Sequence, residues 1–225
     1  MRGKLIIFEA GDGSGKATQA EKLYTRLKAD KHRVRKISFP NYKSDAAALI
    51  KMYLRGDFGA NPAAVNPYAA SVFYAVDRYA SYKLDWEAAY LDGAVIIADR
   101  YTTSNMVHQT AKITGEEEKK EFLRWLWDLE FVKLSLPVPD AVIFLNMPPE
   151  QSFRIMEGRV NKFTGKAEKD IHEKDYAYLR DSYKIACELA REYGWFEVDC
   201  MEETGLRSVE DIHEEIYARL KARLF

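Results

Sequence analysis

The feature that most restricts this chain is short. The apolar run at residues 5–8 passes directly into EAGDGSGKATQ at 9–19, and that into a stretch with helical periodicity at Ala20, Leu23, Tyr24 and Leu27. A strand, a glycine-rich turn and a helix in immediate succession form one unit, with the turn at the carboxyl end of the strand. Gly11, Gly13 and Gly15 let backbone amides turn inward, the helix presents its positive N-terminal end, and Lys16 stands where it reaches terminal phosphates. Ser14, Ala17 and Thr18 complete the loop residues that would line a nucleotide. The unit reads as a phosphate-binding loop. It departs twice from GxxxxGK[ST]: Ala10 stands at the first glycine, and Ala17 at the hydroxyl residue that ordinarily touches Mg²⁺. Thr18 is one residue late and on another helix face, which leaves Mg²⁺ to water, nucleotide and a carboxylate. A glycine-rich turn without a nucleotide is the alternative, and it leaves Lys16 without a task.

Further apolar runs, AVII at 94–97 and AVIFL at 141–145, are of the kind found in strands buried on both faces of a parallel sheet. Residues 33–38 alternate around Val34 and Ile37, and residues 195–199 follow a helix-ending glycine, Gly194. Five strands alternating with amphipathic stretches, the last at Val209, Ile212, Ile216 and Leu220, predict an α/β fold: a five-stranded parallel sheet flanked by helices. Helix starts are read at Thr114 with Glu117, at Pro148 and Pro149, and at Ser208 before Asp211; residues 61–67 read as a loop. The run VIIADRY (95–101) ends in Asp99 and Arg100 at the sheet edge where such folds bind ligands. Asp99 is the candidate for holding Mg²⁺ or its waters, and Arg100 for neutralising an acceptor phosphate. A plain surface ion pair is the alternative.

The length of 225 residues, divided by about 150 per domain, predicts a single domain. Lys plus Arg number 34 and Asp plus Glu 35, a net charge of -1, which argues against nucleic acid or an anionic membrane as partner. Two cysteines without CxxC spacing suit a reducing compartment, and no stretch approaches the roughly 18 apolar residues of a membrane span. The expected location is cytoplasmic. Residues 158–170, with Arg159, Lys162, Lys166 and Lys169, read either as a basic lid or as a solvated loop.

Taken together, EAGDGSGKATQ, DRY and SVFYAVDRYASY (71–82) resemble the thymidylate kinase family of the P-loop nucleoside monophosphate kinases. The resemblance continues through FPNY (39–42), SNMVHQ (104–109), PDAVIFLNMPPE (139–150), DIHEKDYAYL (170–179) and VEDIHEEI (209–216). It implies a P-loop NTPase fold with a basic lid, ATP and dTMP as partners, Mg²⁺ as the cofactor, transfer of the γ-phosphoryl group of ATP to dTMP, and a homodimer built on helices. By the same resemblance Asp12 holds the acceptor's 3′ hydroxyl, Tyr74 stacks on thymine, Arg78 bonds its O4, and Ser104, Asn105 and Gln109 lie along base and sugar. Asp12 as a turn residue, and Arg78 in a bridge to Asp77 or Asp85, are the alternatives. Phe39 matches the family's aromatic after the second strand. Where relatives carry an arginine for the acceptor phosphate this chain has Tyr42, so Lys43 is the nearest substitute; His108 replaces a frequent tyrosine. With Gly13 and Ser14 in place of a loop arginine, catalytic charge falls to the lid side, with Arg154 and Arg159 first. Two rivals stand beside this reading: a kinase for another nucleoside monophosphate or a deoxynucleoside, and a nucleotide-binding module without transfer. No acid occurs at residues 38–44, where a nucleoside kinase needs its base.

Overall fold

The computed structural model describes residues 2–156, 176–203 and 205–225. Along the chain run β1 (Lys4–Glu9), α1 (Lys16–Ala29), β2 (Val34–Ser38), α2 (Ala48–Arg55), α3 (Pro67–Ser81), α4 (Glu87–Leu91), β3 (Val95–Asp99), α5 (Thr102–Thr110) and α6 (Glu116–Trp127). They are followed by β4 (Ala141–Asn146), α7 (Pro149–Met156), α8 (Tyr176–Glu192), β5 (Phe196–Asp199), β6 (Met201–Glu202), β7 (Gly205–Leu206) and α9 (Val209–Leu224). Turns of π-helix extend α3 at Tyr82–Trp86 and α6 at Asp128–Lys133.

The strands β2-β3-β1-β4-β5 form one sheet in that order, every pair parallel. All five expected strands form, β2 and β5 each starting one residue later than the sequence pattern suggests. The antiparallel pair of β6 and β7 was not anticipated. Because side chains alternate along a strand, β1 feeds two cores. Ile6 and Phe8 pack with Leu23 and Leu27 of α1 and Ile212 and Ile216 of α9, while Leu5 and Ile7 pack with Tyr82, Trp86 and Tyr90. On the second face α5, α6 and α8 add Met106, Phe122 and Leu189 around Phe144. The sheet is therefore covered on both sides, as its uninterrupted apolar strands demand.

Two local expectations change. Thr114 does not cap α6: Gly115 occupies the cap, makes no side-chain bond, and Glu116, Glu117 and Glu118 supply the charge that suits a helix start. The segment 61–67 is not plain loop, since Asn61 caps the 3₁₀ turn Pro62–Ala64 and Asn66 caps α3, each through its side chain. Pro149 does open α7, and the Ser208 hydroxyl accepts the Asp211 amide at 3.1 Å to cap α9. No helix among the described residues is long and apolar enough to cross a membrane.

Candidate active site

Register brings the candidate residues to one edge. Phe8 of β1, Asp99 of β3 and Ser38 of β2 lie side by side, so Glu9, Arg100 and Phe39 all emerge at the carboxyl end of the sheet, where α/β folds bind ligands. The loop from Ala10 to Gly15 turns there through two left-handed glycines, Gly13 (φ 80°) and Gly15 (φ 87°), the second being the N-cap of α1. A side chain at either would be strained.

Lys16 is buried and bends back over the loop, its Nζ donating to the carbonyls of Ala10 (2.8 Å) and Gly11 (2.7 Å) and lying 3.6 Å from Asp12 Oδ1. The Ser14 hydroxyl donates to Gly11 O at 2.7 Å. Ala17 and Thr18 are exposed on the first turn of α1. Arg100 crosses from β3: Nη2 donates to Asp12 Oδ1 at 2.6 Å, and Nη1 reaches Ser104 Oγ (3.2 Å), His108 Nε2 (3.2 Å) and Glu9 Oε1 (3.4 Å). Its backbone is left-handed, φ 69°, a conformation that an L residue adopts only where its surroundings enforce it.

These contacts fix the charges. Burial alone would raise the Asp12 carboxyl, but Arg100 and then Lys16 outweigh it and hold Asp12 well below the usual carboxylate range. Burial and the neighbouring Arg100 push the Lys16 ammonium down, against the pull of Asp12, Asp99 and Glu9. Burial opposes the Arg100 charge, yet Asp12, Glu9 and Asp99 more than restore it. Asp99 is half-buried and its carboxylate has no hydrogen-bond partner among the described residues. One such carboxylate beside a phosphate site fits Mg²⁺, which keeps most of its waters and takes phosphate oxygens. No group of three or more acidic, His or Cys side chains suited to a metal occurs among the described residues.

Of the expected acceptor residues, Ser104 belongs to this cluster, its hydroxyl donating to Glu9 Oε2 at 2.6 Å. Tyr74 and Arg78 lie one turn apart on α3, Tyr74 half-buried and Arg78 only 1% exposed. Arg78 does pair with an acid, but with neither Asp77 nor Asp85: its partner is Glu130. Asp85 pairs with Arg35, and Asp77 accepts the Asn41 amide at 2.8 Å. Asn105 and Gln109 are buried on α5, Asn105 Nδ2 donating to Ser71 O at 3.3 Å and Gln109 Oε1 having no hydrogen-bond partner among the described residues. Phe39 is buried against Tyr101, ring centroids 5.9 Å apart, so it supports the cleft from beneath. Lys43 and Arg154 are exposed; Arg159 and the expected lid at 158–170 lie outside the described residues. A pocket open to solvent adjoins the loop, lined by Glu9, Asp12, His108, Pro149, Phe153 and Tyr183 among others.

Sequence reasoning missed Glu9 and Glu130. Glu9 is 1% exposed and gathers the Ala10 amide and the hydroxyls of Thr103 and Ser104. Its signal is a carboxylate that directly continues the buried apolar run Leu5–Phe8, a position that requires partners.

The family description "Thymidylate kinase" matches residues 8–216. Thymidylate kinase of Mycobacterium tuberculosis is 32% identical over 193 residues, 85% of this chain and 87% of its own. The probable thymidylate kinase of Pyrococcus horikoshii is 29% identical over 226 residues, 100% and 98% respectively. Among solved structures, thymidylate kinase of Candida albicans shares the fold with a TM-score of 0.69 at 20% identity, over 98% of this chain and 92% of that one. A match that begins at the end of β1 and closes within α9 takes in the phosphate loop, the Asp99–Arg100 corner and strands β2 to β5, and on that ground the chain belongs to the thymidylate kinase family.

Proposed function

We propose that this protein transfers the γ-phosphoryl group of ATP to dTMP, giving dTDP. The observation that carries this reading is the convergence of Lys16, Asp12 and Arg100 at the carboxyl ends of β1 and β3. Two anions must be brought in line there, and the reaction needs positioning and charge cancellation rather than a general base. An oxygen of the acceptor phosphate attacks the γ-phosphorus, the bond to the β–γ bridging oxygen breaks, and ADP leaves with that oxygen's charge. Gly11, Gly13, Ser14, Gly15, Ala17 and Thr18 would line the donor phosphates, and Lys16 would follow the charge that builds on the transferring group.

Asp12 and Arg100 divide the acceptor. A carboxylate held ionised accepts hydrogen bonds and donates none, so Asp12 suits the hydroxyl of a deoxyribose. Arg100, released from Asp12 by an incoming phosphate, would hold that phosphate on its planar fork. Tyr74 would stack on the base, with Arg78 as donor to its carbonyl, and Ser104, Asn105 and Gln109 beside base and sugar; Phe39 and Lys43 would flank the acceptor's entry. Mg²⁺, held through Asp99, would neutralise and orient the donor phosphates. Arg154 on α7 and Arg159 in a lid at 158–170 would add positive charge, all within a single 1–225 domain. The protein would act in the cytoplasm as a homodimer, and the exposed stripe Val72, Val76 and Tyr79 on α3 supports a helix-on-helix interface.

The test is ADP release with ATP, Mg²⁺ and dTMP, dUMP, dCMP, dGMP, UMP or thymidine as acceptor. Turnover dominated by dTMP is expected. A different preferred acceptor would keep the transfer and move the specificity, whereas ATP retention without ADP from any acceptor would leave a binding module.

A further inference from the structure

The two arginines of the cleft are held in different ways. Arg100 has a single 2.6 Å bond to Asp12, whose side chain is 42% exposed, so a ligand phosphate can exchange for that carboxylate. Arg78 has no such freedom. Its Nε donates to Glu130 Oε2 at 2.7 Å, its Nη2 to Glu130 Oε1, and its Nη1 faces Tyr101 O at 3.5 Å. Glu130 is 0% exposed and takes a third donor, the Thr102 hydroxyl at 2.6 Å. Of the five N–H groups of a guanidinium, one on each terminal nitrogen of Arg78 is left without a partner among the described residues.

Local structure explains why a glutamate arrives there. Phe122, Leu126 and Glu130 are spaced four apart, so Glu130 continues the buried stripe of α6 at a position where an apolar residue is the default. It sits within the π-helical turn Asp128–Lys133, a form that is rare and concentrated at functional positions. Stability does not account for the pair, since a buried ion pair is commonly matched or bettered by apolar residues of similar volume. Geometry does account for it: a two-point clamp sets the plane of the guanidinium and cancels its charge.

We propose that Glu130 is the positioning residue for acceptor recognition, turning Arg78 into a fixed, charge-neutralised donor for a carbonyl oxygen of the acceptor's base and denying Arg78 to the acceptor's phosphate. The inference rests on the dTMP kinase reading above. Its test compares wild type, Glu130→Gln, Glu130→Asp and Thr102→Val in steady-state kinetics with dTMP and dCMP, thermal melts confirming the fold of each. Glu130→Gln removes the charge and one acceptor: the dTMP KM is expected to rise about tenfold or more and the preference over dCMP to shrink by a similar factor, as when a recognition hydrogen bond is lost. The ATP KM and kcat should stay within about threefold, since neither depends on the base-reading donor. Glu130→Asp, which restores the charge, should recover part of the loss, and the near-isosteric Thr102→Val should show a smaller change of the same kind. Folded Glu130→Gln with wild-type dTMP KM and preference overturns the inference. If Glu130→Gln does not fold, unchanged values in Thr102→Val do the same. Wild type that turns over no dTMP overturns the function itself, a separate result.

Discussion

At residue 17 the phosphate loop carries alanine where a hydroxyl would reach the cation, and Ala17 is exposed on the first turn of α1. That exposure leaves room for a threonine. Ala17→Thr is expected to lower the Mg²⁺ concentration for half-maximal turnover several-fold with little change in kcat, because one protein oxygen replaces one water. A Mg²⁺ titration of initial rate checks it, and an unchanged midpoint would place the cation beyond the reach of residue 17. This single site also shows what was legible in advance. Gly11 to Lys16 could be read directly because the loop's function depends on residues adjacent in sequence. Glu130 could not: it meets Arg78 from 52 positions away in sequence, and only a charge on an apolar stripe hints that a partner exists.

Among the elements, α5 packs against α3, α6 and α8, and the chain leaves it beside a half-buried cation. Lys112 Nζ donates to Tyr53 OH at 2.8 Å and to Val65 O at 3.3 Å, tying the end of α5 to α2 and the turn before α3. No carboxylate pairs with it among the described residues, and burial pushes its ammonium down to about 8. The folded state thus releases this proton more readily than the unfolded chain, whose lysine titrates near 10.4. Below about pH 8 the buried charge is a penalty, and it is relieved as pH rises from 8 towards 10.4, so this group makes stability increase over that interval. Lys112→Met should abolish the increase, on the order of 2–3 kcal/mol, in denaturant melts at pH 7.5 and 10; equal alkaline slopes for both proteins would contradict it. The misreading of Thr114 has the same origin as the legibility of Ser208. Both match a capping pattern, but a cap depends on where the incoming chain bends, and at α6 the bend falls one residue later, on Gly115.

For the molecule as a whole, five short apolar or alternating runs specify the sheet, since a parallel sheet covered on both faces leaves few alternatives for such segments. How helices cover it was less legible, because α3, α5, α6 and α8 share one face through contacts between distant segments. The proposed homodimer is a prediction at this scale. Val72, Val76 and Tyr79 are 41%, 49% and 41% exposed along one side of α3, and their spacing makes a single apolar ridge. Val76→Glu should convert a dimer to a monomer in sedimentation velocity at micromolar concentration without lowering the melting temperature of the subunit; a persisting dimer would move the interface off this helix.

The left-handed backbone of Arg100 has a consequence for how this sequence can drift. Holding an arginine at φ 69° costs the fold about 1–3 kcal/mol, a strain that glycine would not feel at all. At this corner backbone comfort and chemistry pull in opposite directions. Random substitution towards glycine or asparagine relaxes the turn after β3 while deleting the cation that Asp12 and Glu9 surround. The relief is opposed by a second cost, because Glu9, only 1% exposed, would lose its cation; strain and charge burial thus act against each other at position 100.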